Sequence, residues 1–409
     1  MKSGLIDTES SRLQAINDCE YAELHQDEWR MSKRTRYWLV TSVIVISAIV
    51  LYLFCFVLPS LFVPKSHPLD SIVQVKKLGV QLYPVPADIA NKWREPRPNS
   101  QPEYDDDVAN ENSDIGANNP SASSSIEELQ KYTKKERLVV VGDIHGQQKE
   151  LHRLLRKIKF NKKSDELLVL GDFISKGPRS LEVIDDLIEM DAKCILGNHE
   201  YYVLQNYAMF HGLSGPKFAF DESAGALENK EFPSTLGFNA DPEYILAKKL
   251  QPRHIRYINL CPVMLEMGPV PLHSAKNNGR FGSAQGIAVH AGLRWDLTQD
   301  LNKQRPLECL EMRSYISPYF NETSDDASAE NAVSWSKIWN AKHKEGTLKD
   351  DFVVYYGHDA RRGLNLKRWA KGLDSGCTKG ESLTAMVIWQ EKTPKGKTMY
   401  KEETVSVSC

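Results

Sequence analysis

The chain has 409 residues, with 52 Lys and Arg against 54 Asp and Glu and a formal net charge of −2. That balance leaves no global field for nucleic acid or any other polyanion, so a phosphate-handling site has to be local. The length suits one large domain or two ordinary ones. Seven widely spaced cysteines without a CxxC argue against a zinc knuckle and do not describe a disulfide framework. At most one or two bridges can form, and the sequence does not pair them.

Residues 1–37 form a polar N-terminal tail. It carries Tyr21-Ala22-Glu23-Leu24, a Tyr-x-x-apolar pattern that looks like an endosomal or vacuolar sorting signal. Residues 38–63, WLVTSVIVISAIVLYLFCFVLPSLFV, contain no charge. As a helix this run spans roughly 39 Å, enough to cross a hydrocarbon core of about 30 Å with some tilt. A core helix rarely runs so long without a polar face, and the run starts too far in for a cleaved signal peptide. Arg30, Lys33, Arg34 and Arg36 crowd its N-terminal side, while Lys65 alone follows closely. The excess puts the N-terminus in the cytosol. A single-pass type II anchor is therefore expected, with everything beyond residue 64 lumenal or extracellular. The sequon Asn321-Glu322-Thr323 is compatible with that side.

Residues 64–126 read as a stalk. Residues 64–90 are moderately apolar, and 91–126 are rich in Pro, Asn, Ser and Asp with almost no large apolar residue. A folded domain is expected over 127–409. Its short apolar runs RLVVVG (137–142), LLVLG (167–171), KCILG (193–197), GIAVH (286–290), VVYYG (353–357) and LTAMVIW (383–389) read as buried strands. Between the first three, Leu151, Leu154, Leu155 and Ile158, then Leu181, Ile184 and Ile188, recur at helical spacing. Strand–helix–strand order with buried strands implies an α/β fold containing parallel pairs. Residues 203–285 lack this rhythm and read as a long, partly helical insertion at the site mouth.

Polar residues gather where five of these runs end: Gly142-Asp143-Ile144-His145-Gly146, Gly171-Asp172, Gly197-Asn198-His199-Glu200, His290-Ala291-Gly292 and Gly357-His358-Asp359. Strand ends are where α/β sheets place their sites. Imidazole with carboxylate and amide oxygens, and no thiolate, suits zinc, manganese, cobalt or iron. A central carboxylate such as Asp172 can bridge two ions, and two-ion sites stabilise both oxygens of a phosphoryl transfer.

GDxHG, GDxxxxG, GNHE, HAG and GH in this order resemble the metallophosphoesterases of the phosphoprotein-phosphatase type, over about residues 137–390. The resemblance implies a four-layer α/β/β/α sandwich and two divalent transition metals. It puts Asp143 and His145 on the first metal, Asp172 between both, and Asn198, His290 and His358 on the second. It implies attack by metal-activated water, with His199 as the general acid or the group that orients the leaving oxygen. Members acting on phosphoproteins carry GDxVDRG, where this chain has Ser175 and Lys176. Ser175 leaves His199 without its carboxylate partner, and whether Glu200 substitutes is open. Lys176 offers a point charge in place of a bidentate fork, which suits a substrate with several phosphates.

GDxxxKG, with GHDARRGLNLKRWAKGLDSGCTKGESLTA (357–385), resembles the ApaH-like phosphatases, which cleave phosphoanhydrides. With the anchor, the chain is similar to the fungal vacuolar endopolyphosphatases, which suggests inorganic polyphosphate as substrate and no nucleic-acid partner. Catalytic roles are thus expected of His199, Asp172 and Lys176, and phosphate contacts of Lys176, Arg294, Arg361 and Arg362. Lys367, Arg368 and Lys371 could extend a basic track. A nucleophilic role for Cys377 is disfavoured. The other readings are a Ser/Thr protein phosphatase, a dinucleoside-polyphosphate or cap hydrolase, and a catalytically dead scaffold.

Overall fold

The computed structural model describes residues 31–58, 61, 63–94, 133–219, 241–273, 281–348, 351–392 and 395–409. The chain divides into two units, Met1–Pro64 and Lys65–Cys409. In the first, helix α1 (Lys33–Tyr52) is capped by Ser32, whose hydroxyl accepts from the Thr35 amide at 3.2 Å. A π-helical turn, Leu53–Val57, extends it. Within the 25 residues Lys33–Val57 an 18-residue window reaches a mean hydropathy of 2.7, and none of that window is buried in the protein. By length and composition the helix can cross a membrane. The sorting pattern at Tyr21 lies outside the described residues.

The second unit begins with β1 (Val75–Lys77), β2 (Val80–Leu82) and helix α2 (Ala87–Arg94). β2 pairs in parallel with β3 (Thr133–Lys135). Leu78, Val85 and Ala90 are buried, and the Trp93 ring meets Trp389 edge-on at 6.2 Å while Arg137 lies over it at 4.6 Å. The expected stalk is thus corrected over residues 65–94, which belong to the folded unit. Three-residue strands carry too little periodicity to announce themselves. Residues 95–126 of that expectation lie outside the described residues.

Two sheets form the core. The first is built on β4 (Arg137–Val141), β5 (Asp165–Val169) and β6 (Lys193–Cys194), which run parallel. β7 (Met264–His273) and β8 (Phe281–Val289) belong to the second. A small three-stranded ladder of β9 (Ser314–Ile316), β10 (Thr323–Ser324) and β11 (Ala332–Ser334) stands apart. The second sheet is completed by β12 (Phe352–Tyr356), β13 (Asn365–Leu366) and β14 (Ala370–Gly372), in the order β1-β7-β8-β12-β14-β13. The first is completed by β15 (Ser382–Lys392) and β16 (Thr398–Ser408), in the order β16-β15-β4-β5-β6. Every residue of β4 and β5 is buried, because parallel strands in this architecture are covered on both faces. The sheets are tied through their shared interior: Lys371 of β14 and the Tyr355 hydroxyl of β12 both meet the Glu402 carboxylate of β16, at 2.9 and 3.1 Å.

Helix α3 (Gln148–Ile158) buries Leu151, Leu154, Leu155 and Ile158, as their spacing requires, and packs on β15 and β16. Helices α4 (Ser180–Glu189) and α5 (Asn198–His211) follow β5 and β6. This is a mixed α/β fold built on two sheets. The expected insertion at 203–285 is corrected in part. It holds most of α5, then α6 (Pro242–Ala247), α7 (Pro252–Ile258) and β7, an interior strand between β1 and β8. Gly268, Pro269 and Pro271 disguise β7; the register shifts between Glu266 and Gly268, as at a bulge. Helices α8 (Pro306–Glu311) and α9 (Trp335–Lys344) complete the unit. Disulfides join Cys194 to Cys261 and Cys377 to Cys409, so Cys377 is no free nucleophile.

Candidate active site

Asp143, Asp172, Asn198, His290 and His358 all sit just beyond the carboxyl ends of strands from the two sheets. The backbone there departs from ordinary conformations. His145, Asp172, Ser175, Lys176 and His358 all have positive φ, between 47° and 68°. Such geometry is costly for a side-chain-bearing residue and persists where the surroundings impose it. Gly177 shows why this loop closes on a glycine: a Cβ there would lie 1.9 Å from the His145 carbonyl oxygen. At Gly357 a Cβ would lie 2.0 Å from Asp143 Oδ1.

Three of the imidazoles are aimed by a backbone carbonyl. His145 Nδ1 donates to Ile174 O at 3.1 Å, leaving the Nε2 lone pair facing the cluster. His290 Nδ1 donates to Leu170 O at 2.7 Å, again leaving Nε2. His358 is reversed: Nε2 donates to Glu311 O at 3.0 Å, leaving Nδ1. This outer support fixes which nitrogen presents its lone pair. His290 Nε2 and His358 Nδ1 lie 3.0 and 3.1 Å from Asn198 Oδ1. His290 Nε2 also lies 3.3 Å from Asp172 Oδ1. On the other side of Asp172, His145 Nε2 stands 3.5 Å from Oδ2 and 3.9 Å from Asp143 Oδ2.

Lone pairs thus face lone pairs, with almost no protons between them. Two sets of ligating atoms, His145-Asp172-His199 and Asp172-His290-His358, meet at Asp172, with the atoms of each set within 4.8 Å of one another. Such an arrangement fits cations: nitrogen and oxygen donors without sulfur suit zinc, manganese or iron. Electrostatics point the same way. Burial, then the Asp374 and Asp172 carboxylates, push Asp143 well above the usual carboxylate range. Asp374, just past β14, was missed by the sequence reading, and burial raises its pKa too. Burial lowers the His145 pKa to about 3 and takes His358 well below its usual value. Burial opposes ionisation of Asp172, but His290 and His199 outweigh it and hold the group well below its ordinary value.

Lys176 reaches into the cluster, with Nζ 3.2 Å from His145 Nε2. His199 Nε2 faces Asp172 Oδ2 at 3.9 Å, and the His199 amide donates to Asp172 Oδ1 at 3.1 Å. Glu200 does not replace the missing carboxylate. Its oxygens accept from the amides of Gly197, Asp172 and Ile174, at 3.0, 2.7 and 3.1 Å. Burial, with Asp172 nearby, raises its pKa to about 8. His199 Nδ1 meets Glu243 Oε1 of α6 instead, and the Ser175 hydroxyl donates to that oxygen at 3.2 Å. Sequence reasoning passed over Glu243; its one local signal is the helix start Asp241-Pro242-Glu243, with Asp241 as N-cap.

Three expected phosphate contacts fare differently. Arg294 is corrected: it is buried, its Nε and Nη2 meet Asp296, and Nη1 reaches Glu308 at 3.4 Å. Arg362 is partly buried, its Nη1 held by Asp359 and by Arg313 O at 3.0 Å. Arg361 is exposed and donates to Ser328 Oγ at 2.7 Å. The basic track fails at Lys371, which is buried against Glu402.

The calcineurin-like phosphoesterase model matches residues 136–363. A zinc-dependent endopolyphosphatase of Saccharomyces cerevisiae is 28% identical, over 66% of this chain and 80% of its own. Symmetrical bis(5'-nucleosyl)-tetraphosphatases of Psychromonas ingrahamii and Erwinia tasmaniensis are 25% and 39% identical, each over 62% of this chain and 93% and 94% of their own. By the extent of that match and the order of its site loops, the chain belongs to the calcineurin-like phosphoesterase family.

Proposed function

We propose that the protein hydrolyses phosphoanhydride bonds, with inorganic polyphosphate as substrate, on the lumenal side of a vacuolar membrane in which residues 38–63 anchor it as a type II protein. The observation that carries the substrate class is the Lys176 ammonium inside the ligand cluster. A compact, rotatable cation serves a chain of phosphates, where an arginine fork serves one fixed group. The names of the yeast and bacterial relatives share one bond type, the phosphoanhydride. Two disulfides suit an oxidising compartment, and the sequon residue Asn321 is exposed.

Two divalent ions, when bound, supply Lewis acidity and an activated water. Asp143, His145 and Asp172 would hold one, and Asp172, Asn198, His290 and His358 the other. Lys176 grips non-bridging oxygens of the phosphate under attack. His199 Nε2 delivers a proton to the departing phosphate oxygen. Full-length protein in detergent, loaded with zinc, manganese or cobalt, should shorten long polyphosphate. Offered dinucleoside polyphosphates, capped RNA and phosphopeptides in the same assay, it should favour polyphosphate; turnover of phosphopeptides alone would overturn this reading. A second reading, a dinucleoside polyphosphate as substrate, is favoured by the bacterial relatives and would be selected by a higher kcat/KM for diadenosine tetraphosphate.

A further inference from the structure

We propose that Glu243 is the positioning carboxylate for His199, supplied by helix α6 in the place that Ser175 leaves open. The inference rests on the reading of His199 as proton donor. Glu243 sits in the first turn of α6, where Asp241 Oδ1 accepts its amide at 2.8 Å and Pro242 occupies the first helical position. α6 packs against α5, the helix whose first turn carries His199. One carboxylate oxygen, Oε1, receives both His199 Nδ1 and the Ser175 hydroxyl. It therefore bridges the helix bearing His199 to the loop bearing Asp172 and Lys176. The Ser175 amide donates to Ser180 Oγ at 3.0 Å, which fixes that loop in turn.

The consequence is an oriented imidazole. With Nδ1 held by Glu243, Nε2 is left to face Asp172. The ring is confined edge-on between His145 and Tyr202, at 5.1 and 5.9 Å between centroids. The His199 and Glu243 side chains are only 15% and 17% exposed, so water competes little for the contact. Nearby Glu200 is fully engaged by backbone amides and cannot take this role. Glu243 touches no reacting atom in this geometry; it acts through His199.

The test uses full-length, zinc-loaded protein. Glu243→Gln keeps the shape and removes the charge. It should lower kcat on polyphosphate by about 100-fold, the usual worth of an intact general acid, with KM and zinc content unchanged. Ser175→Asp in that background should restore at least about tenfold of the loss. Asp is tolerated at the Ser175 φ of 68°, and its carboxylate would extend from the hydroxyl position toward the same nitrogen. Ser175→Ala, which leaves the Glu243–His199 contact, should cost far less than Glu243→Gln. Unchanged kcat in Glu243→Gln, an equal loss in Ser175→Ala, lost zinc, or failure of Ser175→Asp to rescue would each overturn the proposal. If wild-type protein ignores polyphosphate, the comparison is made on diadenosine tetraphosphate. A wrong substrate and a wrong role for Glu243 therefore give different results.

Discussion

Asp172 is the residue on which the two ligand sets depend, lying within 3.5 Å of imidazoles on both sides. Asp172→Asn keeps the volume and suits the positive φ, so the variant should fold. It should lose zinc by elemental analysis and more than about 100-fold in activity, since even outer-shell changes cost 10–100-fold. Lys176→Met should leave zinc content intact and raise KM for polyphosphate about tenfold, the loss of a charge-assisted hydrogen bond. Arg294→Met should behave in the opposite way. Its guanidinium is buried against Asp296, Glu308 and the Asn321 carbonyl, so the change should cost about 2–3 kcal/mol of stability and leave KM unchanged. Asp143, His145, Asp172, Asn198, His290 and His358 stand out in the sequence as candidate ligands because each follows a buried apolar run, and the fold brings them together. The burial of Arg294 was not legible, because only Asp296 lies near it in sequence, while Glu308 is 14 residues on and the Asn321 carbonyl 27, contacts that the tertiary fold assigns. Glu243 was invisible for the same reason: it lies 44 residues from His199 and 68 from Ser175.

The elements sort the same way. β4, β5, β12 and β15 were read from sustained apolar runs, which any covered strand needs. β7 was hidden by its prolines. β16 was hidden by its mixed composition, although it pairs with β15 along all eleven residues. Its end is tied back by Cys377–Cys409, which closes a loop of 32 residues. Replacing both cysteines by serine should lower stability by about 3–4 kcal/mol, measured by denaturant unfolding. Helix α9 carries a pH-dependent term. His343 is stacked on Trp369 at 4.9 Å, and burial, against the opposing pull of Asp351, lowers its pKa from 6.5 to about 4. The folded state therefore prefers the neutral ring. Its contribution is fully present above pH 6.5 and is lost as pH falls through about 4. Melting of His343→Gln should fall less steeply over that interval than melting of wild type.

At the scale of the molecule, two sheets face each other and place their parallel strand ends at one edge, where strands remote in sequence deliver one ligand set. That convergence was readable from the order of the motifs. The folding of residues 65–94 into the same unit was not, because it depends on pairing between β1 and β7, nearly two hundred residues apart. This edge is the centre of a metal-dependent phosphoanhydride hydrolase. The most direct measurement strips full-length protein with a chelator, restores zinc, and resolves long polyphosphate by gel before and after. Polyphosphate should stay intact without metal, shorten with about two zinc ions bound per chain, and stay intact with Asp172→Asn. Intact polyphosphate and intact diadenosine tetraphosphate in the presence of fully zinc-loaded protein would contradict this assignment.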